Sequence, residues 1–175
     1  MPDFNKVLTP GDYQNGTVNT VVEIPEGSNL KIEWDRKNAA FTLDRVEPQI
    51  FAKPCNYGFI PQTLDEDGDE LDTLIVCETP LTTGIWFEAK ILGVMKFEDD
   101  GEVDDKVVVR VADDRNDDWL NTLDDLGEAW KKRVEHHFNH YKDLKKPGST
   151  KVLGWGDIEE AKAIIAKAIA RYQAQ

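Results

Sequence analysis

The apolar residues of this chain change period once, and that change constrains the fold more than any other feature. Through roughly the first two thirds they come in short β-branched or alternating runs. In the last third they recur every three or four residues. Residues 18–24 are rich in β-branched side chains, 31–34 alternate polar with apolar, and 40–43 follow a charged turn. Residues 74–76 read as a short strand buried on both faces, and 84–97 and 106–111 as two longer strands. Between the longer two lies EDDGEVDD, whose Asp100-Gly101 pair signals a hairpin turn.

Leu126, Trp130, Val134, Phe138 and Tyr141 then fall at helical spacing, with Asp125 and Glu128 as the expected capping box and Pro147-Gly148 as the stop. A second helix is predicted over 158–172, with Ile158, Ala161, Ile165, Ala168 and Tyr172 as its apolar stripe and Asp157 with Glu160 as its cap. Strands first and helices last predict an α+β, mainly β architecture: a barrel or sheet with helices packed on one side. With no repeat and no Ser-, Gly- or Pro-rich linker, residues 1–175 are expected to form a single domain.

Twenty-one Lys and Arg against 34 Asp and Glu give a net charge of −13. That balance argues against a nucleic-acid binder, which needs basic patches to displace counterions. It leaves room for anionic substrates delivered with metal ions. No apolar run approaches the roughly 20 residues that span a bilayer, so no membrane association is expected. The opening residues lack a basic stretch followed by an apolar one, so no signal peptide is expected either. Cys55 and Cys77 are the only cysteines, a number that fits a reducing cytoplasm better than a disulfide scaffold.

The densest chemistry is Asp65-Glu66-Asp67-Gly68-Asp69-Glu70-Leu71-Asp72. Most charge runs are solvated turns. Here Gly68 allows a tight turn, and Asp69 and Asp72 lead straight into the buried strand, which would hold them in place. Like charges about 4 Å apart cost roughly 4 kcal/mol at an effective dielectric near 20, so converging carboxylates call for cations. Oxygen donors select Mg²⁺, Mn²⁺ or Ca²⁺ over zinc. An EF-hand is excluded, because with Gly68 at the sixth loop position the first is Thr63 and the twelfth Leu74. A second acidic group, from Glu98 to Asp105, is by itself an ordinary hairpin tip. Asp99 and Asp104 flank that turn, so both can face one point.

Lys31, Glu33 and Arg45 lie on or beside early strands, Tyr57 in the turn-like segment 54–58, and Tyr141-Lys142 at the end of the first helix. Singly, these are surface cations, a core tyrosine and a helix-end lysine. Together with the acids they are the parts for metal-assisted phosphoryl chemistry.

In these residues the chain resembles the family I soluble inorganic pyrophosphatases of prokaryotic type. Asp67-Gly-Asp69-Glu-Leu-Asp72 is similar to that family's D-(S/G)-D-P-x-D signature. Around it stand Val22-Glu23-Ile24-Pro25, Lys31-Ile-Glu33, Asp44-Arg45, Pro54-Cys-Asn-Tyr57-Gly58, Asp99 with Asp104 and Lys106, and His140-Tyr141-Lys142-Asp143. The resemblance runs from about residue 7 to the end. It implies a five-stranded OB-like closed barrel with helices against it, and hydrolysis of pyrophosphate with several Mg²⁺ ions, Mn²⁺ being a substitute. It implies that Asp67, Asp72 and Asp104 ligate the principal metals, Asp99 a further ion, and Glu33 one through water. Asp69 would take a proton from the attacking water. Lys31, Arg45, Tyr57, Lys106, Tyr141 and Lys142 would grip the phosphates, with Glu23 at the cavity edge ordering these cations. Substrate is expected as its magnesium complex, because the acids would repel the bare anion. The resemblance further implies a cytoplasmic homo-oligomer, commonly a hexamer.

The chain departs from the pattern at Lys53, where most close bacterial members carry tyrosine. That lysine is expected to contact phosphate, pair with a carboxylate or point to solvent, with a modest effect on affinity. Glu70 replaces a frequent proline and is expected to loosen the turn slightly. Residues 113–118 are expected to form a solvated loop. His136 and His140, four apart on one helix face, have the spacing of a zinc pair. The resemblance favours a subunit contact for them, one that protonation below about pH 6.5 would weaken. Two rival functions are a non-catalytic OB-fold module for single strands, disfavoured by the charge, and a divalent-cation-binding protein. The second leaves Lys31, Arg45, Lys106 and Lys142 unexplained.

Overall fold

Five strands close on one another in a computed structural model that describes residues 2–175. They are β1 (Thr17–Ile24), β4 (Asn56–Phe59), β5 (Asp72–Val76), β8 (Lys106–Val111) and β6 (Trp86–Asp99), with β6 returning to pair with β1. Every pairing in the ring is antiparallel except β5 with β8, which is parallel. Closure satisfies the edges that an open sheet leaves unpaired. The strand β6 runs past the barrel and also pairs with β7 (Glu102–Val103) and β9 (Thr150–Gly156). A separate hairpin, β2 (Leu30–Asp35) with β3 (Ala40–Val46), stands beside the ring.

The unbroken valine run of β8 is explained by burial on both faces. Val107 and Val109 join a cluster with Ala161, Ile165 and Ala168 of the last helix, α3 (Ile158–Gln173). Val108 joins a second cluster with Val134 and Phe138 of α2 (Gly127–His140). Each fully buried aliphatic side chain contributes about 1.5–3 kcal/mol relative to exposure. A third cluster packs Phe4, on the short helix α1 (Phe4–Val7), against Trp34 and Phe59. Among the described residues no helix is long and apolar enough to cross a membrane.

The apolar stripes of both long helices fall where the periodicity puts them. The cap of α3 is the expected reciprocal box, with Asp157 accepting the Glu160 N–H at 3.0 Å and Glu160 accepting the Asp157 N–H at 3.1 Å. The hairpin turn also forms as expected. Asp99 pairs with Glu102, and Asp100 and Gly101 both take positive φ, +54° and +88°, as a two-residue primed turn requires.

Three expectations are corrected. The entry to α2 is capped one turn earlier, by Thr122 with Asp125, around a short 3₁₀ turn that precedes the helix. The segment read as turn-like is the central strand β4, hydrogen-bonded to β1 on one side and β5 on the other. Its glycine permits that approach: a Cβ on Gly58 would sit 2.0 Å from the Val21 carbonyl oxygen. Finally, β9 lies between the two helices, so the order is not simply strands and then helices. Its glycines at 154 and 156 weakened the strand signal in the sequence.

Candidate active site

The parallel pairing of β5 with β8 sets the centre of the site. Thr73 lies opposite Val107, so the residues preceding them, Asp72 and Lys106, enter the barrel mouth side by side. The Lys106 ammonium is almost fully buried and lies 2.7 Å from Asp72 Oδ2 and 2.9 Å from Asp104 Oδ1. The Tyr57 hydroxyl, carried by β4, donates to the same Asp72 oxygen. Burial opposes the charge on Lys106, but the two carboxylates outweigh it and hold its proton more firmly than usual. Burial pushes the Asp104 carboxyl up, against the pull of Lys106.

Two further elements face this centre. Asp99, at the end of β6, accepts from Lys142 Nζ and, at 3.3 Å, from the Tyr141 hydroxyl, both just beyond α2. On the hairpin, Lys31 lies opposite Arg45 in register, so both cations are on neighbouring strands. Lys31 pairs with Glu33, while Arg45 is held by Asp44 at 2.6 Å and by Glu47. Glu23 lines the cavity but is bonded to the chain rather than to a cation, accepting the Trp34 N–H at 2.7 Å. Its burial, and then the charge of Asp72, raise its carboxyl well above the ordinary range.

Asp67 and Asp69 reach the same cavity from the exposed loop before β5. Asp67 accepts the Asp69 N–H at 3.0 Å, and Gly68 between them has φ +95°. Although Asp69 is solvent-accessible, its carboxyl is pushed up to about 6 by partial burial and by the charges of Asp67, Glu70, Glu33 and Asp72. A carboxylate with that proton affinity is suited to accept a proton near neutral pH.

The loop is not loosened by Glu70, and that expectation is corrected. Glu70 is buried, accepting from Asn5 Nδ2 at 2.6 Å and Arg36 Nε at 2.8 Å. Arg36 also donates to the Gly68 carbonyl at 3.3 Å. Glu70 therefore ties the acidic loop to the N-terminal helix and to the β2–β3 connection. The sequence offered no signal for this, because its partners are distant in the chain. Lys53 is half-buried, its ammonium lying among aromatic rings at the cavity.

All of the sequence-predicted site residues thus line one cavity of about 150 Å³. Its acids present oxygen donors only, as hard divalent cations require. Asp99 Oδ1 is buried with no hydrogen-bond partner, a lone pair available to a cation. Among the described residues no three acids already converge as a closed ligand set; Lys106 lies between Asp72 and Asp104. The donor set fits a divalent metal. His136 and His140 lie away from the cavity, their rings 4.7 Å apart, with His140 bonded to Asp143 at 2.8 Å.

Carboxylates of the kind that suit divalent cations, facing Lys, Arg and Tyr of the kind that suit phosphate oxygens, on a closed barrel, match the class of metal-dependent phosphoryl hydrolases. Comparison with known proteins narrows the class. A family model described as inorganic pyrophosphatase matches residues 20–173. An inorganic pyrophosphatase of Neisseria meningitidis serogroup B is 65% identical, the alignment covering 100% of this chain and 99% of that protein. One from Haemophilus influenzae is 64% identical over 98% of each. The crystal structure of an inorganic pyrophosphatase from Neisseria gonorrhoeae superimposes with a TM-score of 0.96 at 64% identity, over 97% of this chain and 99% of that one. The Thermus thermophilus enzyme gives 0.88 at 39% identity, over 95% and 97%. This chain belongs to the inorganic pyrophosphatase family.

Proposed function

We propose that the chain hydrolyses pyrophosphate to two phosphates by direct attack of water, with Mg²⁺ as its metal and Mn²⁺ as a substitute. The observation that carries this reading is the meeting of Asp72 and Asp104 on one ammonium, inside a cavity that Asp67 and Asp69 also line. Asp67, Asp72 and Asp104 would hold the principal ions, Asp99 a further one, and Glu33 one through water. When bound, the ions neutralise substrate charge and lower the proton affinity of coordinated water.

The chain's own groups do the rest. Lys31, Arg45, Tyr57, Lys106, Tyr141 and Lys142 hold the two phosphate groups in line for displacement. Asp69 takes one proton from the attacking water, whose oxygen forms the new bond to phosphorus. The bridging P–O bond breaks and its electron pair leaves with the second phosphate. The cationic side chains stabilise the charge that develops there. No covalent enzyme intermediate is needed. Glu23 acts from the cavity wall, through its hold on the Trp34 backbone beside Lys31 and Glu33.

Substrate enters as its magnesium complex. The protein is read as a single domain over 1–175 and as a cytoplasmic homohexamer in which His136 and His140 lie at a subunit contact; a mass measurement in solution tests the assembly. The direct test of function is phosphate release from pyrophosphate with and without Mg²⁺, for wild type and Asp69→Asn. Strong, wholly metal-dependent activity and a loss of about 10²–10⁴-fold in the folded variant are expected. Metal-independent release, or an unimpaired variant, would refute the mechanism.

A further inference from the structure

The cations around the cavity are almost all spoken for. Lys31 pairs with Glu33, Arg45 with Asp44 and Glu47, Lys106 with Asp72 and Asp104, and Lys142 with Asp99. Among the described residues, Lys53 alone of the lining cations has no carboxylate within ion-pair distance and no hydrogen bond from its ammonium. In place of acids, rings surround it. Its Nζ lies 4.5 Å from the centre of the Tyr57 ring, 5.2 Å from that of Phe138 and 5.3 Å from that of Tyr141.

The backbone fixes this placement. The Lys53 N–H donates to the Ser28 carbonyl at 2.9 Å, and its own carbonyl accepts the Gly27 N–H at 2.9 Å. Pro54 follows, which restricts the preceding residue to extended conformations. The backbone of Lys53 is therefore held on both sides, three residues ahead of β4 and four ahead of Tyr57. Two of the caging rings, Tyr57 and Tyr141, direct their hydroxyls to Asp72 and Asp99. The lysine thus lines the cavity together with both phenols, at the wall of the acidic centre.

We infer that Lys53 is a substrate-contacting residue of the hydrolytic reaction, its aromatic-caged ammonium receiving a phosphate group of the diphosphate. This deepens the function proposed above and rests on it. Cation–π contacts contribute about 0.5–2 kcal/mol and position an ammonium without neutralising it. The other cations must share their charge with carboxylates already in place, whereas Lys53 has no carboxylate to give up when an anion arrives. Burial, and then the neighbouring ammonium groups of Lys31 and Lys106, bring its amine down to about 7, while Asp72 and Cys55 pull the other way. A diphosphate would relieve that strain on the charged form. A purely structural lysine, acting as a spacer between rings, would need only its stem.

The test separates charge from stem. Lys53→Met keeps the chain length and removes the charge; Lys53→Arg restores a cation able to lie on aromatic rings. Affinity for the non-hydrolysable methylenediphosphonate is measured by calorimetry in Mg²⁺, alongside kcat and KM for pyrophosphate. Mg²⁺ affinity is also measured without any diphosphate. Lys53→Met is expected to weaken methylenediphosphonate binding and raise KM by about 10- to 100-fold, as for a hydrogen bond to a charged group. Its kcat should stay within about threefold, because ground state and transition state lose the contact alike. Mg²⁺ affinity should not move, and Lys53→Arg should recover most of the loss. If Lys53→Met melts early, Lys53→Gln is the second charge-free variant, with the same expectations.

Binding and KM within twofold of wild type in the charge-free variant would overturn the inference, as would an arginine variant no better than it. Equal loss of Mg²⁺ affinity would overturn it too, by making the lysine an organiser of the acids. In each of those cases wild-type hydrolysis stands. If wild type neither binds methylenediphosphonate nor cleaves pyrophosphate, the functional reading itself fails, and this inference with it.

Discussion

Asp72 opens the strand β5 and Asp104 lies just ahead of β8, yet both bind one nitrogen, Lys106 Nζ, at 2.7 Å and 2.9 Å. The Lys106 side chain is 3% exposed and the two carboxylates are 22% and 17% exposed, so this is a buried ammonium with part-buried acids rather than a surface ion pair. Removing one member of such a set leaves the others without compensation, at a cost of about 3–5 kcal/mol. Lys106→Met is therefore expected to lose about 3 kcal/mol in urea unfolding without metal. Added Mg²⁺ should raise the variant's stability more than wild type's, because a cation then supplies the missing charge. Equal shifts in the two proteins would count against the acids sharing a cation.

Arg36 and Asn5 hold Glu70, and Glu70 holds the acidic loop. Arg36→Met leaves a carboxylate that is 5% exposed with only the Asn5 amide as partner. An expected loss of about 1–3 kcal/mol follows from that unmet charge. Glu70→Gln in the Arg36→Met background should recover part of it, since the neutral amide costs less to bury. Unfolding midpoints of the single and double variants check the coupling.

His137 has a depressed basicity. Burial, then the positive charge of Lys53 and the nearby His136, bring its ring down from 6.5 to about 3. Its Nε2 is buried without a partner, and the ring stacks on Tyr141 at 5.6 Å. As pH falls through 6.5 the unfolded chain takes up a proton that the folded ring refuses. Native stability therefore drops with falling pH until the folded ring titrates near 3. His137→Phe removes this penalty, and the variant should gain about 2 kcal/mol on wild type between pH 7.5 and pH 5. Melting temperatures at the two pH values provide the measurement; a constant difference would mean that the folded ring protonates normally.

At Gly58 the backbone of β4 passes too close to β1 to leave room for a side chain. A methyl there would meet the Val21 carbonyl, which is backbone and cannot swing aside. Gly58→Ala should cost at least the 1–3 kcal/mol typical of overpacking and should lower activity by displacing Tyr57. Circular dichroism melts and phosphate release report the two effects separately. Undiminished activity with a lowered melting point would show that Tyr57 keeps its place.

The strands with strong alternation or β-branched runs, and both long helices, were legible because periodicity reports which face of a segment is buried. The stripe of α3 and its Asp157–Glu160 box needed nothing beyond the local chain. The strand β4 was not legible: proline, asparagine and glycine within five residues read as a turn, and only its pairing to two neighbours makes it a strand. The same distinction runs through the site. Asp67, Asp69 and Asp72 stood out as a dense local pattern and Asp99 with Asp104 as the flanks of one turn, while the cations and tyrosines had only ordinary readings until taken together with those acids and with the family resemblance. The burial of Glu70 and the direction of Lys53 left no trace in their own segments.

By itself the sequence determined the kinds of elements, the identity of the acids and cations, and the family to which they belong. The tertiary structure alone decided who meets whom: that a parallel register brings Asp72 beside Lys106, that Arg36 claims Glu70, and that Lys53 lies among rings without an acid. The reason is physical. Local pattern encodes the face a residue presents, over a few ångströms of chain. Distances between elements come from register and packing, which are properties of the whole core and of no single segment.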